Sequence, residues 1–315
     1  MQVQVAVEAA VYAIDKPYSY LLPEGMQVAP GMRVSVPFGR GNRLSEAIIL
    51  TVSEGNGENL KTVTEILDSE PLLDEGMLKL AAFYYNCGRQ WGTDVRICYK
   101  HDAMMFGSGI VEVERGALAD AKPYPWQTDT AVARNSWCHT DDLVYKSSNE
   151  IICTLVDVVS KGGNLLLNIG PKADGTIPEG DRKILEDLGA WMTVNGEAIH
   201  GAQCWRRFAE GPTAAAEGQF QDKAEVPYTA EDYRFTVANG AIYAICMKCP
   251  QDGNFTVHSL KTPTDFHKPE FQGIIQNVEL LGHGTVDWQV DEEALRVSAG
   301  PLDSPWPVVL KVTLR

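Results

Sequence analysis

The stretch Gly162–Pro178, GGNLLLNIGPKADGTIP, constrains the fold more than any other part of the chain. Leu165, Leu166, Leu167 and Ile169 form a nearly unbroken apolar run. A strand covered on both faces carries such a run, whereas a half-buried strand alternates. Asn164 and Asn168 put amides into it that need partners if buried. Gly170-Pro171 stops the strand, Ala173-Asp174-Gly175 makes a turn, and Pro178 suits a first helical turn. Glu179–Asn195 then has helical period, with Ile184, Leu185, Leu188, Trp191 and Met192 on one face. Glu179 and Asp181 sit at its positive end, and Gly196 follows its last residue. Strand, loop and helix in this order call for a parallel α/β sheet, and barrel enzymes keep their chemistry in the loops at the carboxyl ends of such strands.

The same grammar recurs on both sides. Val95–Lys100 (VRICYK) and Tyr124–Thr128 (YPWQT) read as earlier parallel strands and Glu197–His200 as a last one. Ser147–Ser160 reads as a further helix through Ile151, Ile152, Leu155, Val156 and Val159. About four strand–helix units make half of an eight-unit barrel. From Trp205 the pattern changes to short strands separated by Asn-Gly, Asp-Gly and Gly/Pro turns, which predicts an antiparallel sandwich. Before Leu72 the chain also reads as short strands: Val3–Tyr12, Tyr18–Leu22, Gly31–Pro37, Ser45–Val52 and Lys61–Leu67. Leu72–Trp91 reads as one helix. The expected fold class is therefore multi-domain, α/β plus all-β. A small N-terminal β domain covers 1–79, half of a (β/α)8 barrel covers 80–204, and a C-terminal antiparallel β-sandwich covers 205–315.

Composition narrows the function. The 315 residues carry 42 acidic against 27 basic side chains, a net charge of −15. That argues against broad nucleic-acid binding and against an anionic membrane surface. No stretch is long and apolar enough to span a bilayer. The N-terminus lacks a cationic start and places Glu8 and Asp15 where a signal peptide would be apolar, so a cytoplasmic location is expected. The seven cysteines show no framework spacing, so reduced thiols are the default. Cys246 and Cys249 form a lone C-x-x-C at a strand end, where packing is favoured over zinc; no metal and no cofactor is expected.

GNLLLNIGPKADGTIP followed by GAWMTVNGEAIHGAQCWR resembles the end of the catalytic barrel of α-L-fucosidases, glycoside hydrolase family 29. The resemblance continues upstream through ICYKHDAMMFGSGIVEVERG and KPYPWQTDTAVARNSWC. Downstream it runs through PYTAEDYRFTVANGAIYAI, so that it covers about Leu80 to Arg315. Retaining glycosidases use two carboxyl groups roughly 5 Å apart, a nucleophile and an acid/base. The resemblance implies a nucleophilic Asp in a W-x-D-G strand end, and no W-x-D-G occurs in these residues. It implies an acid/base Glu directly after a Trp; here Gln127 follows Trp126, and an amide cannot donate a catalytic proton. Glu114, in VEVERG, is the candidate acid/base, since Arg115-Gly116 suggests an exposed loop tip; a solvated loop charge is the alternative. Lys100 or His101, at a strand end, would reach sugar hydroxyls, unless Lys100 merely pairs with Asp102. Trp126 would pack on a sugar face and Gln127 would position substrate. The implied partner is fucose or a fucosylated glycan, bound weakly without hydrolysis. Trp137 and Trp205 are expected in cores or seams.

KPYSYLLPEGMQVAPGMRVSVPFGRG and LKTVTEILDSEPLLDEGMLKLAAF resemble the N-terminal DNA-binding domain of the primosomal replication-restart helicase PriA, which holds the 3′ end of a single DNA strand. The resemblance implies that Tyr18, Ser19, Tyr20, the loop at Gly39, and Lys61 line such a pocket, although Ser19 stands where an acidic residue is usual. From the residues themselves, Arg33, Arg40 and Arg43 beside Tyr18, Tyr20 and Phe38 suit a phosphate backbone and a stacked base, or form an ordinary β surface. The two resemblances meet near Lys79–Phe83, inside a helix, which points to a chimera of two parents. A half-barrel also exposes sheet edges, at Val95–Lys100 and Glu197–His200, through which copies could self-associate.

Overall fold

The computed structural model describes residues 1–7, 17–39, 41–55, 57, 59–71, 74–100, 104, 107–214, 217–264, 267 and 270–315, with the backbone alone at 75. The chain divides into two compact units, Met1–Glu112 and Val113–Arg315. The fold class is the expected one, α/β plus all-β, though the boundary between units falls later than Lys79.

The first unit holds β1 (Gln2–Val7), β2 (Tyr18–Leu21), β3 (Arg33–Phe38), β4 (Arg43–Ser53) and β5 (Glu65–Ile66) in one sheet of order β2-β1-β4-β3-β5. Neighbouring strands of this sheet run antiparallel, as in Val3↔Tyr20 and Val34↔Ala47. Alternation sends Val3, Val5, Val34, Val36, Ala47 and Ile49 inward, joined by Tyr20, Leu22 and Val63. β5 is shorter than the expected Lys61–Leu67. Lys61 and Val63 instead exchange backbone bonds with Leu21 at 2.8 and 3.0 Å, which carries that segment past the end of β2. Helix α1 (Glu75–Trp91) follows, capped by the Asp74 carboxylate on the Met77 N–H and closed by Gly92 in the left-handed conformation. β6 (Cys98–Tyr99) pairs parallel with the start of β7 (Ile110–Glu114).

In the second unit β8 (Trp126–Ala131) pairs parallel with β9 (Gly163–Asn168) in unbroken register, Gln127 beside Asn164 and Asp129 beside Leu166. Helix α2 (Ser148–Ser160), capped by Ser147, and helix α3 (Glu179–Asn195) cover one face of this pair. Pro178 is the cap residue of α3 and not its first turn. The apolar run of β9 is not covered on both faces, as its sequence suggested. Leu167 and Ile169 pack with Val132, Ile151 and Ile184 beneath the helices, while Leu166 points to the other face and is 53% exposed. Three consecutive leucines cannot show which face lacks a layer.

Glu197–His200 is not a strand. Gly196–Ala198 continues directly from α3 as one 3-10 turn, and the His200 N–H reaches the Gly196 carbonyl at 2.8 Å. The Asn195 side chain caps back onto Trp191, and Glu197 is drawn toward Lys311 at 2.8 Å, which holds the segment in a turn. The proposed second sheet edge at Glu197–His200 therefore does not form, and β9 is the last strand of its sheet.

The sandwich has a six-stranded sheet of order β10-β11-β12-β18-β14-β15, facing a three-stranded one of order β13-β17-β16. The strands are β10 (Gln203–Glu210), β11 (Tyr233–Ala238), β12 (Ala241–Cys246), β13 (Asn254–Val257), β14 (Ile275–Leu280), β15 (Gly284–Thr285), β16 (Asp287–Val290), β17 (Leu295–Ser298) and β18 (Val308–Leu314). Tyr233, Phe235, Phe255, Leu295 and Leu310 fill the space between the sheets. Trp205 packs on this core beside Phe235 and Phe271, at centroid distances of 5.1 and 6.1 Å. The outer face of the larger sheet is covered as well: Ile152, Val156 and Trp191 from the helices meet Tyr243, Ile245 and Val309. Asp157 of α2 binds Lys161 and Arg234, each at 2.6 Å, in this seam. The β8–β9 pair with α2 and α3 thus shares one compact unit with the sandwich, while α1 and β6 belong to the first unit.

Candidate functional site

On the first unit, the hairpin between β3 and β4 turns at Gly39, whose φ of 70° lies in the left-handed region that favours glycine. The Lys61 ammonium donates to the Gly39 carbonyl at 2.7 Å. Tyr18 meets Phe38 edge-on, with centroids 5.0 Å apart. Tyr18, Phe38, Gly39 and Lys61 therefore gather at one end of the sheet, with exposed Arg43 opposite Phe38. Tyr20 lies beneath them as a core residue, 3% exposed, with its hydroxyl donating to the Pro37 carbonyl at 3.2 Å. Burial, and then the neighbouring Tyr18, raise its pKa. Ser19 lies within β2 opposite Gln4. Arg33 is not part of the basic spot: it binds Asp68 at 2.8 Å and Glu46 at 3.2 Å, ties that order the segment after β5. Arg40 lies outside the described residues.

On the second unit the sequence-selected residues separate. Trp126 is fully buried under the sheet, and its indole N–H donates to the Lys161 carbonyl at 3.1 Å. It does not present a ring to solvent, because strand alternation turns it to the buried face of Thr128 and Thr130, where the ring lies over Gly163 of β9. Gln127 and Asp129, with the opposite parity, lie on the other face beside Asn164 and Leu166. Glu114 is no loop tip: it ends β7, half-buried, and its carbonyl accepts from the Phe220 N–H at 2.9 Å. Lys100 follows β6 in the first unit and is half-buried. His101, like Asp102, lies outside the described residues.

The turn after Glu114 carries a cluster that the sequence did not show. Arg115 sits at φ 47°, and its buried side chain donates to the Ala133 and Arg134 carbonyls and to Asp222. Lys146, also buried, donates to Thr130 at 2.5 Å and to Asp222 at 2.6 Å. Arg134 pairs with Glu150. Burial alone would raise the Asp222 carboxyl, but hydrogen bonds from Lys146, Thr130 and Arg115 hold it below the usual carboxylate value. Burial lowers the Lys146 ammonium. Arg115 also stacks over Trp137 at 4.9 Å. No periodic pattern links residues so far apart in the chain; only the Glu-Arg-Gly triplet at 114–116 hinted at a special turn. A groove of about 330 Å³ opens beside the cluster, lined by Gly116, Glu150, Asp157, Asp222, Glu225 and Tyr228.

Asp181 of α3 ties the loop beyond β9, accepting from the Gly170 N–H at 2.8 Å and from the Tyr145 hydroxyl at 2.6 Å. Burial and the Asp181 carboxylate push that phenol up to about 12. Cys246 is buried at the end of β12, while Cys249 is half-buried in the following turn. Among the described residues no group of histidine, cysteine and carboxylate side chains is arranged to hold a metal ion.

The chain resembles two families. Residues 81–197 match the family model for alpha-L-fucosidase, and residues 4–89 match that for a 3′DNA-binding domain (3'BD). Mouse tissue alpha-L-fucosidase is 34% identical over 194 residues, 60% of this chain and 36% of that protein. A solved alpha-L-fucosidase aligns at a TM-score of 0.57 with 25% identity, over 76% of this chain and 49% of the other. The Thermotoga maritima alpha-fucosidase in complex with fucose aligns at 0.53 with 24% identity over the same shares, a likeness of fold. The chain spans between 24% and 39% of the length of the mammalian fucosidases it matches. The two matched segments overlap at residues 81–89, inside α1.

Proposed function

We propose that the second unit is a glycoside-hydrolase remnant that recognises α-L-fucose without hydrolysing its linkages. The observation that carries this is Gln127. It follows the buried Trp126, faces away from the helices beside Asn164, and offers an amide where an acid/base carboxyl would be expected. An amide can hydrogen-bond a sugar hydroxyl but cannot protonate a leaving group. No W-x-D-G occurs within these residues, so they supply no strand-end Asp of that kind for a glycosyl–enzyme intermediate. Fucose binding, followed by saturation-transfer NMR, should be present and should fall in Gln127→Ala. Hydrolysis of an activated aryl α-L-fucoside should match the buffer blank in both the wild type and Glu114→Gln. Turnover that Glu114→Gln abolishes would overturn the proposal and make Glu114 the acid/base.

A second activity rests on the first unit, where Lys61, Gly39 and Tyr18 converge although they are far apart in sequence. We propose that this end holds the 3′ terminus of single-stranded DNA. The acidic chain as a whole repels DNA, which favours a small end-recognition site over a long track. Anisotropy with 3′-free and 3′-blocked oligonucleotides tests it, and equal binding to both would remove the end-specific activity. As to origin, we propose a rearranged fusion, since the matches overlap within a helix and natural fusions join domains through exposed linkers. One sequencing read across the codons for Asp68–Trp91 checks it: an uninterrupted reading frame in source DNA is expected, and a break there would mark a joining error.

A further inference from the structure

Helix α1 is two-sided. On one side the Tyr85 hydroxyl donates to the Ser108 carbonyl at 2.7 Å and accepts from the Ile97 N–H at 3.2 Å. A Cβ on Gly88 would lie 2.5 Å from the Val95 side chain, so only glycine admits this approach. On the other side Met77, Leu80, Tyr84, Cys87 and Trp91 recur at alternating steps of three and four residues, the a and d positions of a heptad. Met77 is 53% exposed, Leu80 66%, Tyr84 38% and Trp91 67%, and Phe83, flanking the stripe, is 66% exposed. Scattered exposed apolar side chains need no explanation, but a contiguous stripe on a helix capped at both ends does.

We infer that α1 is a self-association element and that two copies of the chain pair along this stripe. Steps of three and four lay one apolar stripe along the helix, and a partner with a matching stripe covers it over its whole length. A second copy supplies one. The exposed flanking residues Gly76, Phe83 and Gln90 carry no charge, so two copies of a chain with net charge −15 meet there without like charges facing each other. Large aromatic side chains bury roughly 150–250 Å² each when fully covered; scaled by the exposed fractions, the three aromatics with the smaller Met77 and Leu80 would remove on the order of 1,000 Å² over two copies, the low end for a specific interface. This route differs from pairing through the edge of the parallel sheet, where Leu166 is the exposed apolar side chain.

Sedimentation of the full chain, from low to high micromolar concentration, tests the assignment. The wild type should convert from monomer to dimer. Leu80→Glu and Tyr84→Glu should weaken the dimer at least a hundredfold while keeping the melting temperature of the monomer, because both side chains are turned outward. Leu166→Glu should leave the dimer intact. A wild type that stays monomeric, a Leu80→Glu variant as dimeric as the wild type, or a dimer broken only by Leu166→Glu would each overturn the inference.

Discussion

The Lys146 ammonium and the Asp222 carboxylate meet at 2.6 Å although 76 residues separate them in the chain. Both side chains are largely withdrawn from water, and Arg115 and Thr130 complete the shell around Asp222. Removing one partner of such a pair leaves the other charge buried and uncompensated, which costs more than the pair contributes.

Asp222→Asn should therefore destabilise the second unit by about 3–5 kcal/mol. The pH dependence carries a second signature. The folded Asp222 carboxyl sits below its unfolded value, so its contribution is fully present above the unfolded pKa and is lost as pH falls through the folded one. Urea midpoints should drop below about pH 4 in the wild type, and Asp222→Asn should flatten that limb. An unchanged acid limb in the variant would show that other carboxylates set it.

Trp126 makes the opposite point about sequence-selected residues. A Cβ on Gly163 would lie 2.5 Å from the Trp126 ring, and the ring is fully enclosed. Gly163→Ala should destabilise by about 1–3 kcal/mol through overpacking. Trp126→Phe should cost about 1–2 kcal/mol by removing the indole donor and leaving the Lys161 carbonyl only the longer bond from the Lys122 N–H at 3.4 Å, and it should leave fucose affinity unchanged. A selective loss of affinity at constant stability would return Trp126 to the sugar site.

Much of the fold was legible because the signals were local. The α3 boundaries follow from Pro178 and its acidic first turn, and α2 follows from Ser147 and its apolar period. The strand alternation of the first unit places Val3, Val5, Val34 and Val36 inside. What failed was information held by layers distant in the chain. Leu166 and Leu167 are the same residue type in one run, and only the packing of α2 and α3 decides that one is covered and the other is not. Trp126 looked like a platform because a tryptophan at a strand end reads the same whether it faces ligand or core. Glu114 looked exposed because Arg115-Gly116 resembles a loop tip. Instead the arginine is drawn inward, and a Cβ on Gly116 would lie 1.8 Å from the Gly218 carbonyl oxygen. The Asp222 cluster was invisible because its members share no motif.

The β8–β9 pair, its two helices and the sandwich should resist proteolysis together. Trp191 donates to the Pro307 carbonyl at 2.8 Å and Asp157 binds Arg234, so the seam near Trp205 is a packed core and not a linker. Limited digestion should yield a resistant fragment that begins near Val113 and retains both α2 and the sandwich. Release of a stable fragment starting near Trp205 would show that the sandwich folds without the helices.

Lys61 and Tyr18 set the last prediction. Lys61 is exposed yet held by the Gly39 carbonyl, which keeps its charge at the hairpin turn while leaving ammonium protons for a phosphate oxygen. Tyr18 stands edge-on to Phe38, the arrangement of a partly supported ring on which a base can stack. Lys61→Gln should weaken binding of a 3′-free oligonucleotide and lower the log–log salt slope by about 0.7, the value for one single-strand phosphate contact. Tyr18→Ala should cost about 1–3 kcal/mol, one stacked base, with little change in that slope. Arg33→Gln is the contrasting control. Its guanidinium is committed to Asp68 and Glu46, so the variant should lower the melting temperature and leave DNA affinity within about twofold. If Arg33→Gln weakens binding and Lys61→Gln does not, the DNA contact lies on the Arg33 face of the sheet and not at the Gly39 turn.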